Sequence, residues 1–157
     1  MSTTFNNMTW SFSEADIPWT EGQRTYNLWH SKLGKDRLPG RRDFTPPELS
    51  AKALPTIMLV DVESLPAGFT VRLAGTAIVA MMGRDPTGMA VTDLRGGDKL
   101  AARFAALVMQ ARPYLALDLP TPWPNEKHPS YSVLALPLAK DGKQIDMLMM
   151  SLHFGKN

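Results

Sequence analysis

Two aspartates in predicted strands are the side chains most able to act as a general base. Asp118 lies between two leucines and Asp146 between an isoleucine and a methionine, and His153 near the chain end could pair with either. A small hydrolase or isomerase with an internal cavity needs such a carboxylate, with its pKa tuned by the surroundings. The simpler interpretation is that both aspartates face solvent. No nucleophile elbow, phosphate loop, metal-spaced cluster or dinucleotide glycine motif accompanies them, so the sequence favours a protein that is not an enzyme.

Two further groups could hold an anion, and each also has a structural explanation. The stretch RGGDK at 95–99 opens a predicted helix, whose first N–H groups could bind a negative charge. The geometry of a helix start explains the same residues without a ligand. Arg72 could reach a ligand carboxylate, or it could form an ion pair with Asp43 or Asp61. We favour the helix start and the ion pair.

Few residues in the sequence could hold a cofactor. Cysteine is absent, which excludes a flavin bound through cysteine and thiolate metal sites. A haem needs an axial ligand such as histidine, and the lone histidines His30, His128 and His153 are more simply explained as structural or exposed residues, so neither haem nor a metal site is expected. The ten methionines are spread along apolar faces, which is typical of adaptable packing. The cofactor is therefore unknown, and a noncovalent flavin or another small organic molecule stays open.

Length and charge limit the class of protein. A chain of 157 residues corresponds to one domain. The net charge of +2 is small, and the basic cluster at 32–42 is interrupted by an aspartate, which predicts no nucleic-acid partner. The sequence shows no signal peptide and no apolar run long enough to span a membrane, so we expect a cytoplasmic protein with no membrane partner.

Helices and turns dominate the first third of the chain. Residues 1–19 read as a polar arm, which Trp10 and Phe12 could anchor. A helix is predicted over 20–33, where an aromatic and apolar stripe is formed by Tyr26, Trp29 and Leu33. A second helix is predicted from Thr45 to Pro55, and its buried side is formed by Leu49, Ala53 and Leu54.

Strands dominate the remainder. Two strands are predicted over 56–64 and 69–76, joined by a turn at 66–68. A short helix follows between Gly75 and Gly83, and a longer one covers 98–111. Three strands are predicted over 114–122, 131–142 and 143–154, with a turn at Asp141 and Gly142 between the last two.

The last two predicted strands are apolar on both faces. In one of them Val133 and Ala135 alternate with Leu134, Leu136 and Leu138. In the other, Ile145, Met147 and Met149 alternate with Leu148, Met150, Leu152 and Phe154. Such a sheet must be covered on both faces, by the central helices on one side and by the N-terminal helix or a partner subunit on the other. The order of elements indicates an α+β fold with a mixed or antiparallel sheet.

The order and spacing of several short motifs resemble a bacterial PAS-like domain family over about residues 20–154. The motifs lie in turns, in strand ends and in the loop around the short helix. Their residues are Leu38, Pro39, Arg41, Arg42, Asp43, Leu54, Pro55, Ile57, Leu59, Asp61, Arg72, Gly75, Thr76, Gly83, Asp85, Thr87, Gly88, Leu136, Pro137, Leu138, Asp141 and Gly142.

The resemblance implies a single domain over 20–154 with a five-stranded antiparallel sheet, helices on one face and an N-terminal helix as an extension. It also implies a sensory or regulatory module that binds a small molecule, a protein partner or both, and that signals through another chain. Homodimerisation is expected through the outer sheet face and the N-terminal helix, with Tyr26, Trp29 and Leu33 as contact residues.

In such a fold the short helix after Gly75 would form one wall of an internal pocket. The candidate lining residues on the two helices and the last strand are Ala77, Ile78, Met81, Met82, Phe104, Leu107, Val108, Met147 and Met149. Ordinary core packing would explain the same residues without a ligand.

Overall fold

The computed structural model describes residues 7–45, 47–63, 68–123 and 127–155. The strands in this part of the chain are β1 (Met8–Thr9), β2 (Ile57–Glu63), β3 (Gly68–Ala74), β4 (Tyr114–Pro120), β5 (Ser130–Leu138) and β6 (Met147–Phe154). The α-helices are α1 (Thr20–Ser31), α2 (Thr76–Met82) and α3 (Gly97–Gln110). No helix among the described residues has the length and apolarity needed to cross a membrane.

The strands form one sheet of six in the order β1-β4-β5-β6-β2-β3, and every neighbouring pair is antiparallel. The predicted α+β class and antiparallel sheet are confirmed, with one strand more than the five expected. The additional strand is β1, in which Met8 and Thr9 of the arm pair with the edge of β4. Two residues are too few to produce an alternating pattern, so this strand has no signal in the sequence.

The outer face of the sheet is covered by α1 and the segments beside it. Trp29 is 4% exposed, and its indole Nε1 donates to the Pro137 carbonyl over 2.9 Å. The indole Nε1 of Trp19 donates to Ser151 Oγ over 3.0 Å. We call this layer the outer layer; its buried residues are Ile17, Trp19, Trp29, Phe44, Leu49, Ile57, Leu59, Leu115, Leu134, Leu136, Leu138, Met147 and Met149.

The inner face of the sheet carries α2 and α3. Phe104 of α3 is fully buried, and its ring meets that of Phe69 edge-on with centroids 5.5 Å apart. We call this layer the inner layer; it includes Met58, Val60, Phe69, Val71, Ile78, Phe104, Leu107, Tyr114, Tyr131, Val133, Ala135, Leu148 and Met150.

The predicted alternation along the last two strands is confirmed with one exception. The residues of β5 alternate between the layers as expected, and Met147 and Met149 lie in the outer layer. Ile145 was expected beside those methionines but packs in the inner layer. The strand begins only at Met147, so the period-two rule does not extend back to Ile145.

The predicted helix from Thr45 to Pro55 is wrong. The chain forms turns there and a single 3-10 turn at Leu54–Thr56. Ser50 accounts for this, because its side-chain oxygen and its carbonyl both accept from the Ala53 N–H and so favour a tight turn. Leu49 and Ala53 are buried as expected, but Leu54 is exposed.

The connection between β5 and β6 is longer than a two-residue hairpin. The Asp141 carboxylate accepts from the backbone N–H groups of Lys143 and Gln144, both over 2.8 Å, and these bonds lower the pKa of Asp141. Gly142 has φ of +83°, a conformation that glycine adopts without strain. The turn predicted at 66–68 falls mainly outside the described residues.

The glycines around α2 have different roles. Gly75 donates its N–H to the Ile57 carbonyl over 2.9 Å, and an added Cβ would overlap the carbonyl oxygens of Leu54 and Pro55. Gly83 ends α2 with φ of +81° and has open space around it. The backbone at Gly75 therefore lies directly against the backbone of Leu54 and Pro55, where β3 gives way to α2. The helix α2 ends at Gly83 because the backbone there adopts the left-handed conformation.

Candidate functional site

A cavity of about 700 Å³ lies between the first turns of α3 and the facing end of the sheet. We call it the α3 cavity. Its lining residues come from the N-terminal arm, from the 3-10 turn before α3 and the loop after it, from α3, from the end of β4 and the residues after it, and from the start of β5. They are Asn7, Thr92, Leu94, Gly96, Gly97, Asp98, Lys99, Arg103, Asp118, Leu119, Pro120, Thr121, Pro122 and Tyr131.

Two glycines fix the start of α3, which forms one wall of the cavity (the α3 wall). Gly96 has φ of +72°, and Gly97 donates its N–H to the Leu94 carbonyl over 2.8 Å. Gly97 is buried so tightly that an added Cβ would overlap the Val91 carbonyl oxygen. From this start, Lys99 and Arg103 follow four residues apart and therefore share one face of α3.

Arg103 is the buried charge of the site. It is only 6% exposed and donates a hydrogen bond to the Tyr131 hydroxyl. Burial raises the pKa of Tyr131, while the positive charge of Arg103 opposes this rise. The same two effects act on Tyr114, whose pKa is also raised mainly by burial. Both phenols therefore stay neutral and can serve as hydrogen-bonding groups beside the guanidinium.

The Tyr114 hydroxyl is buried and has no hydrogen-bond partner among the described residues. We expect Tyr114→Phe to raise the free energy of unfolding by about 1 kcal/mol, because it removes an unsatisfied buried group. Tyr131→Phe is the control and should lower stability, because it removes the acceptor that Arg103 uses. Urea denaturation measures both, and a loss of stability in Tyr114→Phe would contradict this account.

The raised pKa of Tyr114 also predicts how stability depends on pH. Below pH 10, the ordinary pKa of tyrosine, both the folded and the unfolded chain keep this proton. Above it the unfolded chain loses the proton while the buried group retains it, so stability falls as pH rises. The loss between pH 10 and 11 should therefore be smaller in Tyr114→Phe than in the parent protein, again by urea denaturation.

The β4 wall is shaped by a bulge at Asp118. The pairing of β4 with β5 shifts between Ala116 and Leu119, and Asp118 takes a left-handed φ of +53°. Its N–H donates to Ser132 Oγ over 3.0 Å. Bulges redirect side chains, and here the bulge brings Asp118 to the cavity. Farther along, Thr121 lines the cavity with a buried hydroxyl that has no partner within the described ranges.

The N-terminal arm is attached next to the cavity. Asn7 accepts from the Leu117 N–H over 3.0 Å and lines the cavity itself. Trp10 meets Tyr114 edge-on with ring centroids 5.6 Å apart, and Phe12 packs on Tyr26 at 5.5 Å. The two anchors predicted for the arm therefore fix it to the inner and outer layers respectively.

The predicted pocket residues do not line the α3 cavity. Ile78, Phe104 and Leu107 are fully buried among inner-layer side chains, Met81 is buried, and Ala77 and Met82 are half-buried. Val108 lines a separate apolar groove of about 490 Å³ toward the end of α3.

Met147 and Met149 require a correction. They lie in the outer layer, on the opposite face of the sheet from α2 and α3, and so cannot share a pocket with Phe104. The sequence showed which residues of β6 share a face, but not which of the two faces meets α2 and α3.

The residues of the enzyme hypothesis are not brought together. Asp118 lines the α3 cavity, whereas Asp146 lies in a different depression and accepts from the Lys140 N–H over 3.0 Å. His153 stacks on Trp19 with centroids 5.6 Å apart and lines a third depression. No group of three or more metal-ligating side chains occurs in the described part of the chain.

The residues of the PAS-like motifs form local ion pairs, hydrogen bonds and turns. Arg72 and Asp61 form the expected ion pair at 3.8 Å, but Arg72 is exposed and Asp61 only half-buried, so the pair contributes little stability. Asp43 accepts instead from the Gly40 N–H over 2.8 Å, and Arg41 donates to the Phe44 carbonyl over 3.1 Å. Thr76 begins α2 and is exposed, and Gly88, with φ of +86°, turns the loop that follows α2.

Arg103 is the site residue that the sequence interpretation missed, although a signal was present. It lies three residues after Leu100 and four before Leu107, within the apolar face predicted for α3. A charged side chain on the buried face of a helix is uncommon and marks a polar partner or a site. Two other parts of the lining carried a sequence signal for a different role, namely Asp118 as a candidate base and the RGGDK stretch as a helix start, whose residues 96–99 line the cavity. The remaining cavity residues of β4 and β5 had no comparable signal.

The comparison with protein families agrees with this fold. A family model described as PAS domain matches residues 20–151, which is most of the chain. The comparisons with curated proteins and with solved structures gave no match. The chain therefore belongs to the PAS domain family, whose members are in general sensory and regulatory modules.

Proposed function

We propose that this protein is a cytoplasmic sensory module that binds a small organic molecule in the α3 cavity and signals through another chain. The observation that carries the proposal is a cavity of about 700 Å³ with a buried arginine in its wall. Ligand pockets commonly have about 300–1,000 Å³, mostly apolar walls and a few polar groups. Leu94, Leu119 and Pro122 supply such an apolar lining here.

The N-terminal arm could transmit ligand binding to a partner chain. A ligand that contacts Asn7 acts on the residue whose carbonyl accepts from the Leu117 N–H, next to the pairing of β1 with β4. A change of occupancy would therefore change how firmly the arm is attached. A partner chain that binds the arm or the surface it covers would detect this change.

Native mass spectrometry of freshly purified protein, together with an absorbance scan, tests the proposal. We expect a small molecule to co-purify with the parent protein and to be lost from Thr92→Trp, which places a bulky ring at the cavity. Thr45→Trp changes an exposed threonine elsewhere and should keep the molecule. An empty cavity in the folded parent, with no stabilisation by any member of a metabolite library, would contradict the proposal and leave a protein-interaction role.

We also propose a homodimer formed through α1 and the residues that directly follow it. Trp29 is not available as a contact residue, because it is buried in its own chain. Tyr26 is half-buried and Leu33 is 37% exposed, so these two remain at the surface. Leu33→Glu should convert a dimer to a monomer in light scattering, while Leu73→Glu on β3 should not. A parent protein that is strictly monomeric at high concentration would exclude the dimer.

A further inference from the structure

The charged side chains that line the α3 cavity balance one another. Lys99 and Arg103 are positive, Asp98 and Asp118 are negative, and the four charges sum to zero. Lys99, Arg103 and Asp118 each already interact with another group of the chain, and for Arg103 one such group is the Tyr131 hydroxyl. Asp98 is exposed, so water solvates it. None of these four side chains therefore needs a charged ligand to balance it.

An ionised ligand is poorly suited to a cavity of this kind. Moving a charged group out of water costs free energy unless a counter-charge receives it. The charges that line this cavity already have partners or water, and a ligand ion would meet two like charges as well as two opposite ones. An uncharged molecule avoids both costs.

The uncharged part of the lining suits a ring compound. Leu94, Leu119 and Pro122 give apolar surface, and the Tyr131 ring adds an aromatic one. The two sides of the cavity approach each other at Gly96, where an added Cβ would lie 3.0 Å from the Pro122 Cβ, so the space narrows there. A flat ring fits such a space with less steric conflict than a branched chain does. The cavity volume of about 700 Å³ accommodates a fused ring system.

Thr121 supplies a polar contact in this lining. Its hydroxyl is buried and has no hydrogen-bond partner in the part of the chain that the structure describes. Because the side chain has no hydrogen bond to lose, it can turn towards a ligand at little cost. A hydroxyl donates to a carbonyl oxygen and can also accept from another hydroxyl. On the basis of the proposed function, we infer that the ligand of the α3 cavity is an uncharged ring compound that carries a hydroxyl or carbonyl group.

Four probes that share one naphthalene ring system, substituted at the same carbon, separate charge from polarity. Naphthylmethanol is neutral and polar, naphthoate is an anion, naphthylmethylamine is a cation at neutral pH, and methylnaphthalene has no polar group. In NMR titrations of the full chain, freed of small molecules by unfolding and refolding, naphthylmethanol should bind at the α3 cavity. The two ions should bind roughly tenfold more weakly or worse, because their charge must leave water. Methylnaphthalene should bind roughly fivefold more weakly, because it makes no hydrogen bond. Binding of either ion as tight as that of naphthylmethanol would overturn the inference, as would no binding of naphthylmethanol. A charged molecule that co-purifies in the cavity would also overturn it, while leaving the proposed function standing.

Variants test the contact at Thr121 and the balance of charge. Thr121→Val keeps the shape and removes the hydroxyl, so it should weaken naphthylmethanol binding roughly fivefold and leave methylnaphthalene binding unchanged. Thr121→Ser keeps the hydroxyl and should bind both probes nearly as the parent does. Thr45→Val, at an exposed threonine outside the lining, is the matched control and should change neither. Asp118→Asn removes one negative charge from the lining, so naphthoate should gain affinity relative to naphthylmethanol, which a merely destabilised protein would not show. Equal losses for both neutral probes in Thr121→Val, or no loss for either, would overturn the inference.

Discussion

Gly97→Ala should destabilise the protein by about 3 kcal/mol or more, because overpacking of this severity exceeds the usual range for core substitutions. The added Cβ would overlap the carbonyl oxygen of Val91, which belongs to the backbone and cannot move as a side chain end can. Relief requires the 3-10 turn at Val91–Asp93 to separate from the start of α3. Urea denaturation followed by circular dichroism measures the change.

Gly83→Ala is the matched control for this prediction. Its φ is +81°, but nothing lies within 4 Å of the added Cβ, so only the backbone preference is lost. That preference costs roughly 1–2 kcal/mol. Equal effects of the two substitutions would show that the close approach at Gly97 is absent from the folded protein.

Trp29→Ala should lower the free energy of unfolding by about 3–5 kcal/mol, the range found for large aromatic side chains removed from cores. The indole is 4% exposed, belongs to the outer layer and donates to the Pro137 carbonyl. Its loss would leave both a cavity and an unsatisfied carbonyl on β5. Thermal and chemical denaturation should agree on the size of the effect.

Trp29→Phe separates the two contributions, because it keeps much of the apolar volume and removes the donor. It should be less damaging than Trp29→Ala. If α1 instead left the sheet in solution, Trp29→Ala would be nearly neutral and would expose no new surface to a hydrophobic dye. That outcome would contradict the assignment of α1 as the cover of the outer face.

The sheet was predictable from the sequence because side chains on a strand alternate between faces. In β5 the leucines at 134, 136 and 138 and the small residues at 133 and 135 separate into the two layers as expected. The same logic required a cover for each face, and α1 with its buried Trp29 supplies one of them. These features depend on local periodicity and on burial of apolar area, which one sequence contains.

The site was not predictable in the same way. The cavity is formed where a bulge at Asp118, a glycine contact at Gly97 and the arm at Asn7 meet, and each depends on contacts between distant segments. Periodicity also does not show which face of β6 meets the helices, and the structure places Met147 and Met149 in the outer layer rather than beside Phe104. Local signals marked Asp118, the RGGDK stretch at 95–99 and Arg103 singly, but nothing in the sequence placed them at one cavity.

The most direct test of ligand binding in the α3 cavity is a two-dimensional NMR titration of isotope-labelled protein. The protein is first freed of small molecules by unfolding and refolding, and the released low-molecular-weight fraction is then added back. We expect amide shifts to change at residues 92–103 and 118–122, and to change little in the apolar groove around Val62 and Val108. Shifts confined to that groove, or no shifts in a correctly refolded protein, would contradict the account.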